Sequence, residues 1–379
     1  MTLSAEDRTR YSRHLALREI GVAGQEKLKA ARVLVIGAGG LGSPSTLYLA
    51  AAGIGTLGIV DCDQVDLSNL QRQVLYETSD VARLKTEAAG KRLLALNPRL
   101  NLLTYQVELR AANVREIFSD YDVVLDGTDR FATRFLTNDA CVILRKPLVS
   151  AAIHRFDGQA LSYVPGKGPC YRCLFPEPPA EGAVPNCAEA GVLGVLPGVM
   201  GTLQATEAIK IITGIGQPLL GRLLTYDALD MRFDEFRFAR RSDCAVCGDH
   251  PTITEPSDPP ELCSAETLAA IRRFSARELH ATLSDKGHSH VVVDVRSHAE
   301  YSQGHLPNSI HIPVTELANR LQELPANRSP VFICRSGARS LTACGIAARA
   351  DITSLAHLEG GLLAWAQDVD PGLVVAAPD

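Results

Sequence analysis

Four consecutive apolar residues, Val33 to Ile36, run directly into Gly37-Ala38-Gly39-Gly40-Leu41-Gly42. Few folds accept that junction. The apolar run reads as a buried strand, and the spacing G-x-G-x-x-G reads as a tight turn that opens a helix. Such a turn aims backbone N–H groups and a helix N-terminus at a phosphate. Gly37, Gly39, Gly40 and Gly42 are therefore the candidate nucleotide-binding glycines. A plainer reading of the same glycines is close helix–strand packing. The turn alone leaves open whether the phosphate belongs to a dinucleotide or to ATP.

The surrounding pattern extends the fold. The helix after the turn carries Pro44 in its first turn, where proline is tolerated, and runs to about Ala52. A second strand, Leu57 to Val60, ends at Asp61. A helical stretch around Asp80 to Leu96 precedes strands in RLNLLTYQVEL, YDVVLDGTD and PLVSAAI. This alternation predicts an α/β fold with a Rossmann-like, doubly wound, mostly parallel sheet and a ligand site at the strands' carboxyl ends. Residues 6–30, ahead of it, carry a helical pattern. The stretch 163–191 is dense in proline and glycine and reads as loop; a helix from Pro197 to about Ile212 then stops at Gly214. Four prolines in 249–262 mark an interdomain linker. The predicted organisation is a nucleotide domain over 1–248, a linker over 249–273 and a smaller α/β domain over 274–379. In the last, HVVVDVRS and PVFICRSG are strands, with helical stretches around Ala276–Ser284 and Ser340–Arg349.

Composition excludes several classes. The net charge of -5 and the absence of a long basic run argue against nucleic-acid binding. The first residues are polar, and no uninterrupted apolar stretch has spanning length, so no membrane role and a cytoplasmic location are expected. Ten cysteines, four of them in two C-x-x-C pairs, point to metal or redox chemistry rather than a disulfide framework.

Residues downstream of the glycine turn decide between nucleotides. Asp61 lies 19 residues past Gly42, where a carboxylate accepts hydrogen bonds from the ribose of NAD or ATP alike. Asn69, Arg72 and Lys85 follow. Hydride transfer has little use for such cations, whereas phosphoryl or nucleotidyl transfer spreads negative charge over phosphate oxygens that preorganised cations stabilise. Asp126 and Asp129 end another strand in DGTD, where a carboxylate can hold Mg²⁺. Either cation alone reads as a solvated helix face; the ordered set is what points to ATP.

On YSRH, GAGGLGSP, DCDQVDLSNLQRQ, RLKTEAA and DGTDRFATR, residues 1 to about 250 resemble the adenylyltransferases that activate ubiquitin-like sulfur carriers in molybdopterin and thiamin synthesis, relatives of the ubiquitin-activating enzymes. The resemblance implies that a carrier's C-terminal glycine carboxylate attacks the α-phosphate of ATP. It assigns Asp61 to the ribose, Asn69, Arg72 and Lys85 to the phosphates, and Asp129 to Mg²⁺. It makes Arg13 a cationic finger reaching from the other protomer of a homodimer, although the residues alone show only a charge on a helix.

The pairs Cys170/Cys173 and Cys244/Cys247 are 70 residues apart. Each offers two thiolates at knuckle spacing, and together they make a closed zinc site; separate redox pairs are the alternative. Their place in loops favours zinc, and the same family uses these pairs as structural zinc ligands. Cys187, in the polar stretch PNCAEAG, is a candidate nucleophile. In some related enzymes a cysteine here forms a covalent link to the activated carrier, and in others it is dispensable. Otherwise it is a small hydrophobe.

Cys334 is the second candidate nucleophile. It ends a buried strand in VFICRSGARSL, ahead of a loop and a helix, where successive N–H groups make an anion nest. Arg335 and Arg339 add positive charge that favours thiolate or persulfide. The bland reading is a buried strand-end cysteine. Residues 274–379 resemble a rhodanese domain through VVVDVRSHAEYSQGHLPNSIHIP, CRSGAR and LEGGLLAW, with Asn308-Ser309 in place of the usual Gly-Ala. The whole chain thus resembles the molybdopterin-synthase adenylyltransferase/sulfurtransferase type. That type implies sulfur from a persulfide or thiosulfate donor, passed through Cys334 to the adenylated carrier. Two other readings stay open at this point: an adenylyltransferase whose rhodanese domain is only regulatory, and an NAD-dependent oxidoreductase supported by the glycine turn alone.

Overall fold

The computed structural model describes residues 2–178, 191–258 and 271–375, apart from 286, 326 and 351. The chain divides into two compact units, the first ending at Pro259 and the second containing everything from Pro260 onward.

The first unit is built on eight strands: β1 (Arg32–Ile36), β2 (Thr56–Val60), β3 (Asn101–Tyr105), β4 (Val123–Asp126), β5 (Leu148–His154), β6 (Asp157–Tyr163), β7 (Arg222–Asp227) and β8 (Arg232–Arg237). Their order is β3-β2-β1-β4-β5-β6-β7-β8. The first five are parallel, with β1, β2 and β4 buried on both faces, as strands covered by helices on both sides must be. The register aligns Ile36 with Val60 on one side and Asp126 on the other. The glycine turn, Asp61 and Gly127 therefore leave the sheet side by side, at the carboxyl edge expected of a doubly wound fold.

Two features depart from the sequence reading. The pattern over 6–30 is not one helix but three, Ala5–Arg10, Ser12–Leu15 and Gly21–Ala30, broken by Tyr11 and by a left-handed Gly21. The sheet also continues past β5 through the antiparallel strands β6, β7 and β8. The outermost of them, β8 (RFDEFR), gives no apolar pattern because it is almost wholly exposed. The helix Leu196–Thr213 ends as expected at Gly214, in the left-handed region. Its Gly201 lets it cross the glycine-turn helix, Gly42–Ala52, so closely that a Cβ would lie 2.4 Å from the Leu41 carbonyl oxygen.

The second unit is a five-stranded, all-parallel sheet of β9 (Arg272–Phe274), β10 (His290–Asp294), β11 (Ile310–His311), β12 (Ser329–Ile333) and β13 (Ala356–Leu358), ordered β11-β10-β12-β13-β9. Its core packs Val293, Phe332, Ile333, Leu358 and Trp365 from the sheet and the helix Gly361–Asp368. The helices Ala276–Ser284 and His298–Gln303 each begin with a reciprocal Ser–Glu capping box. The helix after Cys334 is Ala338–Arg349, starting two residues ahead of the predicted Ser340. Among the described residues no helix is long and apolar enough to cross a membrane.

Candidate functional site

At the carboxyl edge of the first unit, Gly37 turns at φ +86°, a conformation glycine adopts without strain. Gly42 meets its carbonyl so closely that a Cβ would sit 1.9 Å from the Gly37 oxygen. These two glycines are thus explained by the turn itself. Gly39 and Gly40 are only partly buried, which leaves their backbone facing outward. The Ala38 N–H donates to Asp61 Oδ2 at 2.8 Å, and the Asp63 N–H donates to Asp61 Oδ1 at 2.9 Å. The Tyr76 hydroxyl donates to the Ala38 carbonyl at 2.8 Å. Burial pushes the Asp61 carboxyl up, and the nearby Lys85 charge draws it back.

The cation set gathers around this turn. Asn69 closes a single 3₁₀ turn, Leu67–Asn69, by accepting the Asp66 N–H at 3.3 Å. Arg72, half-buried, donates to the Ser68 carbonyl at 3.1 Å, and its Cδ is 3.8 Å from where a Gly40 Cβ would lie. Lys85 is the first residue of the helix Lys85–Leu96 and is buried, its ammonium 2.8 Å from Asp63 Oδ2. A helix N-terminus disfavours a cation, so this placement is held by Asp63 and Asp61 rather than by helix preference.

Of the two DGTD carboxylates, Asp126 is fully buried and engaged. It accepts from the Thr128 N–H, the Thr128 hydroxyl and the Ser150 hydroxyl, with Arg134 Nε 3.4 Å away. Asp129 is exposed at the same edge, so of the two it is the carboxylate open to solvent. Sequence reasoning missed Asp63 as the partner of Lys85 and Arg134 as the partner of Asp126. Both stand inside motifs already noted, but only the tertiary contacts reveal those partnerships.

Arg13 is exposed on the four-residue helix Ser12–Leu15. Tyr11 lies against Gly53, and His14 bonds Gln25, which in turn donates to the Ala52 carbonyl. These contacts anchor Arg13's helix at the far end of Gly42–Ala52, about 16 Å along that helix from the glycine turn. Arg13 is therefore not brought to the turn of its own chain. Cys187 lies outside the described residues.

The four sulfurs of Cys170, Cys173, Cys244 and Cys247 lie within 4.8 Å of one another. Cys170 and Cys244 are 3.7 Å apart, and Cys173 and Cys247 are 3.4 Å apart. Tetrahedral zinc with bonds of about 2.3 Å separates its sulfurs by about 3.8 Å, so the set fits zinc. Hydrogen bonding from Cys170 holds the Cys173 thiol low, and the same contact pushes Cys170 up. Arg172 grips Asp139 with two bonds of 2.7 Å and Asn138 accepts the Tyr171 N–H, tying the first knuckle to the helix Phe131–Ile143 that follows Asp129.

In the second unit, Cys334 stands fully buried at the end of β12. The Gly337 and Ser340 N–H groups point at its sulfur from 3.1 and 3.4 Å, forming the expected nest. The LEGG turn supports the loop from behind: the Leu362 and Leu363 N–H groups bond the Cys334 and Arg335 carbonyls, and a Cβ on Gly361 would collide with both residues. Arg339 differs from expectation. Its guanidinium is buried and bonds both Glu300 oxygens at 2.7 and 2.8 Å, so its charge is neutralised rather than offered to the thiol.

A nucleotide-type Rossmann unit with a cation-lined turn, joined to a unit that presents a thiol to backbone amides, defines a two-domain group-transfer enzyme. Comparison with known proteins makes this specific. Residues 11–246 match the ThiF family and residues 275–368 match the rhodanese-like domain. The chain is 44% identical over 384 residues to the probable adenylyltransferase/sulfurtransferase MoeZ of Mycobacterium tuberculosis, covering 98% of this chain and 96% of that protein. It is 52% identical over 268 residues to the sulfur carrier protein adenylyltransferase of Thermus thermophilus, covering 69% of this chain and 99% of that protein. The crystal structure of E. coli MccB with AMPCPP and MccA superposes at a TM-score of 0.57 and 26% identity, over 65% of this chain and 75% of that one. The chain belongs to the ThiF family and carries a rhodanese-like domain at its C-terminal side. It is an enzyme, an adenylyltransferase and sulfurtransferase.

Proposed function

We propose that this enzyme adenylates the C-terminal glycine of a ubiquitin-like sulfur carrier and then converts it to a thiocarboxylate with sulfur held on Cys334. The observation that carries the first half is the buried Lys85, placed beside Asp61 and Asp63 at the glycine turn. In this reading Asp61 takes the ribose hydroxyls, and the N–H groups of the Gly37–Gly42 turn with Asn69, Arg72 and Lys85 take the phosphates. Asp129 would hold Mg²⁺, which supplies charge neutralisation on the phosphates when bound. The carrier carboxylate forms a bond to the α-phosphorus as the α–β bridge breaks and pyrophosphate leaves. Arg72 and Lys85 stabilise the charge that builds on the phosphate oxygens. Arg13, which its own chain keeps away from the turn, serves the partner's site in a homodimer. The four cysteines would hold one structural Zn²⁺.

In the second half, Cys334 thiolate takes the outer sulfur from a persulfide donor and releases the donor as thiolate; thiosulfate would release sulfite instead. The outer sulfur of the Cys334 persulfide attacks the carrier's acyl carbon, AMP leaves, and an acyl disulfide forms. Cys187 either holds the acyl group or attacks the Cys334 sulfur, releasing thiocarboxylate and leaving a disulfide for a thiol reductant. The nest around Cys334 supports a catalytic rather than a regulatory second unit. Pyrophosphate exchange against a panel of purified carriers tests the reading. One carrier should support ATP-dependent exchange, and exchange with none overturns it.

A further inference from the structure

Behind the Cys334 loop a second, buried row of polar groups runs into the sheet. Ser340 is fully buried; its hydroxyl lies 3.8 Å from the Cys334 sulfur and donates to the Gly337 carbonyl at 2.8 Å. On its other side the hydroxyl meets His357 Nδ1 at 3.3 Å. His357 sits on β13 between the buried Ala356 and Leu358, paired in register with Phe332 and Arg273. Its own exposure is 5%, and its Nε2 is buried with no hydrogen-bond partner. An aliphatic side chain would fill this place without leaving a polar atom unpaired, so packing does not account for the imidazole.

We propose that Ser340 and His357 are positioning residues for Cys334: a hydroxyl rotor, backed by an imidazole, that delivers a hydrogen bond to the sulfur when it is anionic. With the thiol protonated, the Ser340 hydroxyl points to Gly337 O, and the imidazole Nδ1–H donates to Ser340 Oγ. When Cys334 loses its proton to solvent, the hydroxyl turns to the sulfur. The Gly337 carbonyl is not orphaned by that turn, because it also accepts the Leu341 N–H at 3.2 Å. The Nδ1–H keeps its bond to Oγ and polarises the hydroxyl toward the sulfur. Burial lowers the affinity of His357 for a second proton and Arg273 adds to the effect, against the opposing pull of Glu359 and the Gly337 backbone. Arg273 itself faces Glu359 at 3.5 Å. On the cysteine side the charged groups are Arg335 in the loop and Arg339, bound to Glu300.

The proposal rests on Cys334 being the sulfur acceptor, but its test needs no sulfur transfer. Iodoacetamide alkylation of Cys334 in the full-length protein is followed against pH, with the Cys334 peptide quantified by mass spectrometry. Ser340→Ala should slow alkylation at pH 7 about tenfold and move the midpoint of the profile upward, as loss of one hydrogen bond to a charged group does. His357→Leu should give a smaller loss in the same direction. His357→Asn, which keeps an N–H donor at the position of Nδ1, should stay within about twofold of the parent. Ser340→Ala/His357→Leu should be no slower than Ser340→Ala alone, because the imidazole acts through the hydroxyl. An unshifted profile in Ser340→Ala, simple additivity of the two changes, or His357→Asn as slow as His357→Leu would overturn the relay.

Discussion

Lys85 is buried at the start of a helix, where the dipole opposes its charge, and is held there by Asp63. That arrangement makes sense for an incoming polyanion. Lys85→Ala should lower carrier-dependent pyrophosphate exchange by about 100- to 1,000-fold. Because it deletes a strained cation whose partner Asp63 is largely exposed, the same change should move thermal stability little. A large stability loss with only a few-fold loss of exchange would make Lys85 a structural cation. Glu300 belongs to the same scale. Burial raises its carboxyl, but the Arg339 hydrogen bonds, the Ser297 N–H and the charges of Arg339 and Arg296 together hold it below the usual range. The unfolded chain then binds a proton, near pH 4.3, that the folded one refuses. Stability of the second unit from this pair is full at neutral pH and is lost as pH falls below about 5 toward the lowered value. Thermal melts between pH 7 and 4 should show the slope. Glu300→Gln should flatten it while lowering stability at pH 7 by about 3 kcal/mol, since one charge of a buried ion pair is removed.

At the scale of elements, legibility followed burial. Strands β1, β2 and β4 are apolar on both faces and end in glycine or aspartate, so both their existence and the edge carrying the site could be read from the residues. Strand β8 could not, because it is almost wholly exposed and shows no apolar run, and the half-buried β7 carries only a short Leu-Leu pair between charged ends. The C-x-x-C spacing announced a four-cysteine cluster, while the Arg172–Asp139 link that ties the knuckle to the Asp129 helix is visible only in three dimensions. Arg339 shows the reverse error: a charge beside a thiol in sequence is spent on Glu300 in the fold. Metal analysis should find one zinc per chain. Chelation, or Cys173→Ser, should lower the melting transition of the first unit and leave that of the second in place. Absence of zinc, or a melt insensitive to chelation, would refute the cluster's structural role.

At the scale of the whole molecule, two sites on two units must each be necessary for one product. Arg13 is anchored at the far end of its helix pair from its own glycine turn, and the proposed reading gives it to the site of a second copy. Arg13→Ala and Asp129→Ala should each be inactive alone in exchange. When mixed and allowed to swap subunits, they should recover about a quarter of parental exchange, since half the dimers then carry one intact site. No recovery would place Arg13 in its own chain's chemistry or outside it altogether.

The central claim is that adenylation and sulfur transfer are separate chemistries joined in one chain. Cys334→Ser in the full-length protein, assayed with its carrier, tests it most directly. Pyrophosphate exchange should remain at the parental level while carrier thiocarboxylate, measured by mass, is absent. Thiocarboxylate formed at the parental rate without the Cys334 sulfur, or exchange lost along with it, would contradict the account.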